Sequence, residues 1–214
     1  MAGAITSYLD LARSMLSKGT SLLEVFGPDR PNVELMFRQR QSGDDHSVCH
    51  FASELSLGVK GVEFPVKLAT MFMFTYLMRV CSGESRFCGT DADSLQWMIL
   101  ASSENYAKIP DMYKPTSSQT HVPHSAAVEF CPLAPLRDAL CHSFRDFPAM
   151  LAGSISCNWP YNDPHSCVEK DPNNGRLVLT DAFCIHVMTL DNWSVRPAML
   201  DDFPECRGLL KVAY

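Results

Sequence analysis

Two histidines and two acidic residues lie within one proline-rich stretch, at spacings that would suit proton transfer. The stretch runs from Trp97 to Leu140 and holds five of the 14 prolines of the chain. His121 and His124 form a His-x-x-His pair there. Histidine titrates near neutral pH and is the commonest general acid or base. The pattern predicts acid–base chemistry at His124, with the ring oriented by Glu129 or Asp138.

Each of these side chains also has a structural interpretation. A proline-rich turn fixes backbone angles, and a histidine ring there often hydrogen-bonds the backbone. This interpretation is favoured for His124, and more strongly for His121. Arg137 could bind a carboxylate or polarise a substrate carbonyl. An internal ion pair of the Arg137-Asp138 step, which would pin the loop to the following helix, is at least as good an explanation.

Two Asn-Trp steps follow the stretch and could form part of a ligand site. Asn158-Trp159 and Asn192-Trp193 would supply aromatic walls and amide hydrogen bonds, although packed indoles with capping asparagines are more common. His186 lies in an apolar run and is expected in the core. The sequence has no Gly-x-Ser-x-Gly, phosphate loop or dinucleotide fingerprint. Any chemistry is therefore predicted to need no cofactor.

Metal binding and disulfides are not predicted. His46 and His50 could share a helix face with Cys49, but no second ligand pair completes a site. The nine cysteines contain no Cys-x-x-Cys, and several, such as Cys184, lie in apolar runs. Buried free thiols in a reducing compartment explain this usage best. Because the N-terminus does not resemble a secretory signal, we expect a cytoplasmic protein, or a nuclear one if it is regulatory.

The net charge and the hydropathy of the chain argue against nucleic acid and membranes as binding partners. The net charge is −6 and the isoelectric point about 5.6, which argues against direct binding to nucleic acid. The most apolar segment, Val66 to Val80, has 15 residues including Lys67 and Arg79, whereas a membrane span needs about 20. An apolar small molecule is the expected ligand, and the oligomeric state cannot be read from the residues.

The fold class predicted is mainly α. We expect residues 1–214 to form a single helical domain around a buried central helix at about residues 66–80, with a long proline-rich loop and at most two short strands. Apolar spacing, capping residues and prolines predict the remaining elements. The predicted helices are Ile5–Lys18, Val33–Gln41, Ser94–Ser102, Leu136–Phe147 and Thr180–Leu190; the loop is Pro110–Pro135; the strands lie within 153–161 and 176–179.

Several separated motifs resemble a known family. WMI…SSENYAKIPDMYKPTSSQTHVPHSAAVEFCPLAPLRDAL, then CNWPY and FCIHVMTLDNWSV, are similar to the fungal domain of unknown function found C-terminal to bZIP regions. The resemblance covers about residues 60–212 and leaves 1–59 as an N-terminal helical extension without a basic region or leucine heptads. It implies a fungal source and a mainly helical domain; members with a bZIP region are presumed transcription regulators. The matching positions are Trp97, Tyr106, Pro110, Pro115, Gln119, Pro123, His124, Pro132, Arg137, Asp138, Asn158, Trp159, Pro160, His186, Asn192 and Trp193.

This chain departs from the family where members carry tryptophan. Members tend to read His-Pro-x-Trp-Ile-Asp and Pro-Trp-Pro in the central motif. Here the first motif has Ser125, Ala127 and Glu129, and the second has Leu133 and Ala134. Two indoles are thus replaced by Ala127 and Leu133. Unfilled, such deletions cost several kcal/mol each as cavities; filled by a ligand, they form a pocket.

Two functions follow from these observations. The first is a cofactor-independent enzyme, a cyclase or isomerase in fungal specialised metabolism, acting on an apolar small molecule. The second is a non-catalytic regulatory module that binds a metabolite or a partner protein and derives from a bZIP-type transcription factor. The predicted catalytic residues are His124, Glu129, Arg137 and Asp138; the predicted ligand-binding residues are Tyr106, Ala127, Leu133, Trp159, His186, Asn192 and Trp193.

Overall fold

The fold is mainly α, with a few short antiparallel strands. The computed structural model describes residues 2–27, 31–39, 41, 47–58, 60–82, 107, 109–143 and 154–213. Tyr106 and the helix predicted at Ser94–Ser102 lie outside these ranges. None of the described helices combines the length and apolarity needed to cross a bilayer.

The N-terminal segment forms two helices. Helix α1 spans Ala2–Ser17, which confirms the helix predicted there. Gly19 ends it with a φ of 86°, a conformation that glycine adopts without strain. Helix α2 spans Leu22–Phe26 and begins with a capping box. Where a helix was predicted at Val33–Gln41, the structure has only a 3₁₀ turn, Glu34–Met36.

The next two helices pack against each other. Helix α3 spans Ser47–Gly58, and helix α4 spans Phe64–Ser82 and contains the predicted helix at Val66–Val80. Apolar residues on nearly every side explain why α4 is covered by other elements. Its completely buried side chains include Leu68, Ala69, Met71, Phe74, Leu77 and Met78.

The segment predicted as a proline-rich loop is a chain of one-turn helices. They are the 3₁₀ turn Asp111–Tyr113, helix α5 at Ser117–His121 and the 3₁₀ turn Ala126–Phe130. The prolines limit their length, but caps at Thr116 and Ser125 stabilise the second and third of these turns where extended backbone was expected.

Helix α6 follows these turns. It spans Ala134–Cys141 and so begins before the predicted start at Leu136, because Pro135 fits the first turn of a helix.

In the part of the chain that the structure describes, four strands form two small antiparallel sheets, so the prediction of at most two strands was wrong. Strand β1 (Ile155–Ser156) pairs with β4 (Ser194–Val195). Strand β2 (Val168–Lys170) pairs with β3 (Leu177–Leu179). The predicted strands contain β1 and β3. Strands β2 and β4 were missed because two or three residues are too few to show an alternating pattern.

The C-terminal part is completed by two helices and three 3₁₀ turns. Helix α7 spans Asp181–Val187; of the two predicted capping residues, Thr180 and Asp181, the Thr180 side chain forms the cap. It ends before the predicted boundary at Leu190. Helix α8 spans Pro197–Asp202 and was not predicted. The 3₁₀ turns are Pro164–Cys167, Leu190–Asn192 and Pro204–Cys206.

Candidate functional site: a buried polar network and an apolar cavity

Arg137 is the hub of a buried hydrogen-bond network, and its side chain is completely buried. Nε donates to Gln119 Oε1 at 2.8 Å. Nη1 donates to the carbonyls of Met112 and Cys131, both at 2.7 Å, and Nη2 donates to the carbonyl of Lys114 at 2.8 Å. A guanidinium has five N–H donors, so at most one remains for a ligand. Arg137 therefore ties three turns of the proline-rich segment to helix α6.

Asp138 binds the same segment at a different point. Its carboxylate accepts a hydrogen bond from the Thr116 hydroxyl. Thr116 also exchanges two capping hydrogen bonds with Gln119, at 3.0 and 3.4 Å. Among the described residues, Arg137 and Asp138 form no ion pair with each other. The segment is thus pinned to the helix by two separate sets of bonds, and not by the internal ion pair considered from the sequence.

His124 and Glu129 form a second buried pair beside this network. Their side chains are 1% and 0% exposed, and His124 Nε2 bonds Glu129 Oε1. His124 Nδ1 lies 2.7 Å from the Val122 carbonyl oxygen. Because both ring nitrogens face acceptors, the ring carries both protons and a positive charge. Glu129 Oε2 is buried and has no hydrogen-bond partner within the described part of the chain.

The environment of His124 favours the charged ring. Burial lowers the pKa of His124, but hydrogen bonds with Cys141, Glu129 and the Val122 carbonyl outweigh this effect and raise the pKa to about 10. A general base must be neutral at the working pH to accept a proton. At neutral pH, His124 therefore acts as the cation of a buried ion pair. His121, in contrast, is exposed and bonds Ser117 and Thr120.

Four of the predicted ligand-binding residues come together at the end of helix α7. The rings of Trp159 and His186 meet edge to face, with their centroids 5.0 Å apart. Asn192 Nδ2 donates to the His186 carbonyl at 2.9 Å, and Trp193 Nε1 donates to the Val187 carbonyl at 2.8 Å. Trp193 thus satisfies a carbonyl that the helix end leaves unpaired, and Asn192 adds a second bond to the His186 carbonyl, which also accepts from the Thr189 amide at 3.2 Å.

The polar atoms of the neighbouring residues also bond within the protein. Asn158 adopts a left-handed φ of 46°, which asparagine tolerates better than most residues. Its side chain donates to the Asn192 carbonyl at 2.7 Å and accepts from Ser194 Oγ at 2.9 Å. Trp159 Nε1 donates to Ser166 Oγ at 2.8 Å. The Asn-Trp steps therefore join strands β1 and β4 to helix α7.

An apolar cavity lies where helices α3 and α4 meet the later part of the chain. We call it the Lys67 cavity. Its volume is about 60 Å³, which is room for roughly four water molecules at 10–15 Å³ each. The apolar walls are formed by Val62, Val66, Met73, Phe130, Pro132, Ile155 and Trp193.

Four polar side chains complete the wall of the Lys67 cavity. Ser56 and Thr70 each donate to a helix carbonyl four residues earlier, at 2.7 and 2.8 Å, so their lone pairs remain as acceptors. Burial raises the pKa of Tyr113 above its usual value and keeps the phenol neutral. Lys67 is half-buried and is the one charged side chain among the described residues that line the cavity. The site can thus offer an ammonium group to an otherwise apolar ligand.

Comparison with known proteins identifies the family to which the chain belongs. Residues 92–212 match the family described as Domain of unknown function (DUF3425), which is more than half of the 214 residues. The chain belongs to the DUF3425 family. No curated protein and no solved structure matches it.

The buried polar network and the Lys67 cavity differ in how much of each lies inside the DUF3425 region. The Arg137 network and the His124–Glu129 pair lie wholly inside the DUF3425 region. The Lys67 cavity is shared: Tyr113, Phe130, Pro132, Ile155 and Trp193 come from the DUF3425 region, and the other lining residues come from α3, α4 and their connection.

The predicted site residues are not gathered around one cavity. Of those that the structure describes, Trp193 alone lines the Lys67 cavity. Ala127 and Leu133, where bulk was expected to be missing, are buried in the core at 5% and 4% exposure. Leu133 also borders a surface groove.

Sequence reasoning missed most of the cavity wall. Lys67 was considered only as evidence against a membrane span, although a lysine inside a buried helix is itself unusual. Tyr113 and Phe130 were within the stretch of interest but carried no motif. The signal that could have found Lys67 is its position among apolar residues on every side.

Six cysteines are free thiols, as predicted: Cys131, Cys141, Cys157, Cys167, Cys184 and Cys206. All of these six except Cys184 are buried. Burial raises the pKa of Cys131 and Cys157 to about 11 and that of Cys167 to about 12, so these thiols stay protonated at neutral pH. No three His, Cys, Asp or Glu side chains in the described ranges converge as a metal site would require.

Proposed function

We propose that this DUF3425 protein is a non-catalytic module that binds a small apolar molecule bearing an acidic group. The observation that carries the proposal is the Lys67 cavity, whose apolar wall includes a single cation. Apolar pockets with a few convergent polar groups are the usual form of small-molecule sites. A carboxylate would bind the Lys67 ammonium while an alkyl group fills the space beside Met73 and Ile155.

The size of the cavity restricts the ligand. A volume of about 60 Å³ is below that of the roughly 150 Å³ cavity that holds benzene in an engineered protein. We therefore expect an acid whose short or branched alkyl group has no more than about four carbons, bound with its carboxylate outside the apolar space, at the edge of the cavity. Larger ligands would have to displace the walls.

The non-catalytic part of the proposal is supported by the use of the predicted catalytic residues. Arg137 and Asp138 are bonded to the proline-rich segment. His124 and Glu129 are bonded to each other. None of the four lines the Lys67 cavity. Their chemistry is accounted for by holding the fold.

A cofactor-independent cyclase or isomerase is the second candidate. It is favoured by Tyr113, whose phenol lies on the cavity wall and is kept neutral by burial, so that it could donate a hydrogen bond to a substrate carbonyl and stabilise developing negative charge there. In that case Tyr113→Phe would abolish turnover, whereas alanine at both His124 and Arg137 would act through folding only. A substrate converted equally well by wild type and Tyr113→Phe would remove Tyr113 from this role.

The biological setting is part of the proposal. The family resemblance supports a fungal source and a relationship to bZIP-type regulators. The net charge of −6 supports action without direct contact to nucleic acid. We propose a cytoplasmic location for a metabolite-binding module and a nuclear one for a regulatory module.

Isovalerate provides the direct test of the ligand class. We expect the wild-type protein to bind it with a Kd of about 1 mM, since a ligand of this size gains little total affinity. Lys67→Met should weaken binding about tenfold or more, because the ammonium is lost from an apolar surrounding. Isothermal titration calorimetry at high protein concentration measures both values.

Two controls separate the cavity from general charge effects. Lys60→Met removes an exposed lysine outside the cavity and should leave the affinity for isovalerate unchanged. Isovaleramide, the uncharged analogue, should bind at least tenfold more weakly than the acid. Equal binding of acid and amide would contradict the acidic ligand class, and binding of neither would contradict the proposed function.

A further inference from the structure

An open groove lies on the surface beside the start of helix α6, and it is separate from the Lys67 cavity except for Trp193. It consists of two adjoining depressions of about 240 and 390 Å³, which share Ala134, Pro135 and Leu209. We call it the Leu209 groove. One wall is the first turns of α6, and the other is formed by the turn at Leu190 and the C-terminal loop.

The Leu209 groove has an apolar floor and an apolar rim. Leu133 and Trp193 form part of the floor and are each 4% exposed. On the rim, Leu190 and Leu209 are 46% and 66% exposed. Single exposed leucines are ordinary, but exposed leucines beside an apolar floor are typical of interaction sites. The groove is thus suited to an occupant with an apolar face.

The charged side chains around the Leu209 groove indicate which charge its occupant should carry. Three carboxylates line it, from Asp138, Asp191 and Glu205. Lys211 is the one lysine or arginine in the lining, and its ammonium already donates to the Asp191 carbonyl at 3.0 Å. Charge complementarity therefore favours a basic partner.

The backbone of the walls favours a helical occupant. The amide of Leu209 donates to the Cys206 carbonyl at 3.1 Å, and that of Trp193 donates to the Leu190 carbonyl at 2.9 Å. On the opposite wall, the Arg137 amide donates within α6. An added strand would need such donors to be free. A helix satisfies its own backbone, and only its side chains have to fit.

We propose that the Leu209 groove binds a basic amphipathic helix of a partner protein. Leucine-type side chains on one face of that helix would enter the two depressions, while lysine or arginine residues beside them would meet Asp191 and Glu205. The inference does not depend on ligand binding in the Lys67 cavity. It adds a protein-docking surface to the proposed metabolite-binding module.

A designed peptide tests the Leu209 groove. The probe is a fluorescein-labelled 18-residue amphipathic helix made of leucine and lysine, and its counterpart has glutamate in place of lysine. We expect micromolar binding of the leucine–lysine peptide by fluorescence anisotropy, and at least tenfold weaker binding to Leu209→Asp. Leu23→Asp changes another exposed leucine, which is 57% exposed, and should not alter the affinity.

Several outcomes would overturn this proposal. One is equal binding of the lysine and glutamate peptides, and another is unchanged binding to Leu209→Asp with a circular dichroism spectrum like that of the wild type. A wild-type dimer in analytical ultracentrifugation that Leu209→Asp converts to a monomer would assign the groove to a second copy of this chain instead.

The contribution of charge is tested by Glu205→Lys. This charge reversal should weaken binding of the leucine–lysine peptide and leave the fold intact, since Glu205 is exposed.

Discussion

Replacing Arg137 with methionine is expected to lower the free energy of unfolding by about 4 kcal/mol or more. The substitution keeps much of the buried volume but leaves four acceptors, on Gln119, Met112, Cys131 and Lys114, without their donor. Each buried unsatisfied polar group costs about 1–3 kcal/mol. Because typical domains are stable by only about 5–15 kcal/mol, the variant should be close to unfolded. Urea denaturation measures the change.

Two further variants show whether the effect belongs to the network. Arg207→Met removes an exposed guanidinium that pairs with Asp201 at 3.1 Å, and should change stability by less than about 1 kcal/mol. Arg137→Lys should recover only part of the lost stability, since the single ammonium of lysine cannot reach all the acceptors that surround the planar guanidinium group. An Arg137→Met protein within about 1 kcal/mol of wild type would contradict the structural role of Arg137.

Stability is also expected to fall as the pH rises from about 6.5 towards 10. The folded protein raises the pKa of His124 from 6.5 to about 10. The stabilisation is therefore fully present below the unfolded pKa and is lost as the pH rises through the folded pKa. A shift of this size corresponds to a contribution of about 5 kcal/mol, at about 1.4 kcal/mol for each pKa unit. Urea unfolding at pH 6, 8 and 10 would measure it.

His124→Gln isolates this contribution from other groups that titrate at alkaline pH. The variant should be less stable than wild type at pH 6, because Glu129 loses the cation with which it is buried. The difference from wild type should shrink as the pH rises to 10. His142→Gln changes an exposed histidine and should keep the wild-type pH profile. A constant difference between His124→Gln and wild type across this range would exclude His124 as the source.

Local features of the fold could be predicted from the sequence. The apolar residues of Val66–Val80 predicted a helix that the structure contains within α4. A cap predicted at Thr180 or Asp181 located the start of helix α7. These predictions succeeded because spacing and capping act within a few residues of each other. The strands of two or three residues gave no such signal.

The arrangement of the candidate site could not be predicted in the same way. Arg137 bonds residues that precede it by 6 to 25 positions, and nothing in the local pattern specifies those partners. The sequence offered two uses for Arg137 and Asp138, and only tertiary packing distinguishes a ligand contact from a bond to backbone. The Lys67 cavity is harder still to predict, because its wall combines residues from 56 to 193.

The resemblance led us to expect tryptophan at the positions of Ala127 and Leu133. Ala127 and Leu133 were expected to mark either a cavity or a ligand pocket. Both lie in the core, and Leu133 borders the Leu209 groove. Neither borders the Lys67 cavity. Side-chain volume read from the sequence therefore did not locate the cavity, because neighbouring elements decide whether space remains.

Methyl NMR of methionine-labelled protein during isovalerate titration tests the central claim most directly. Met73 lines the Lys67 cavity, Met112 lies at the Arg137 network, and Met199 is buried elsewhere. Ligand in the Lys67 cavity predicts a saturable shift of the Met73 methyl resonance, with Met112 and Met199 unchanged. A shift at Met112 without one at Met73 would place the ligand at the polar network and contradict the assignment of the site.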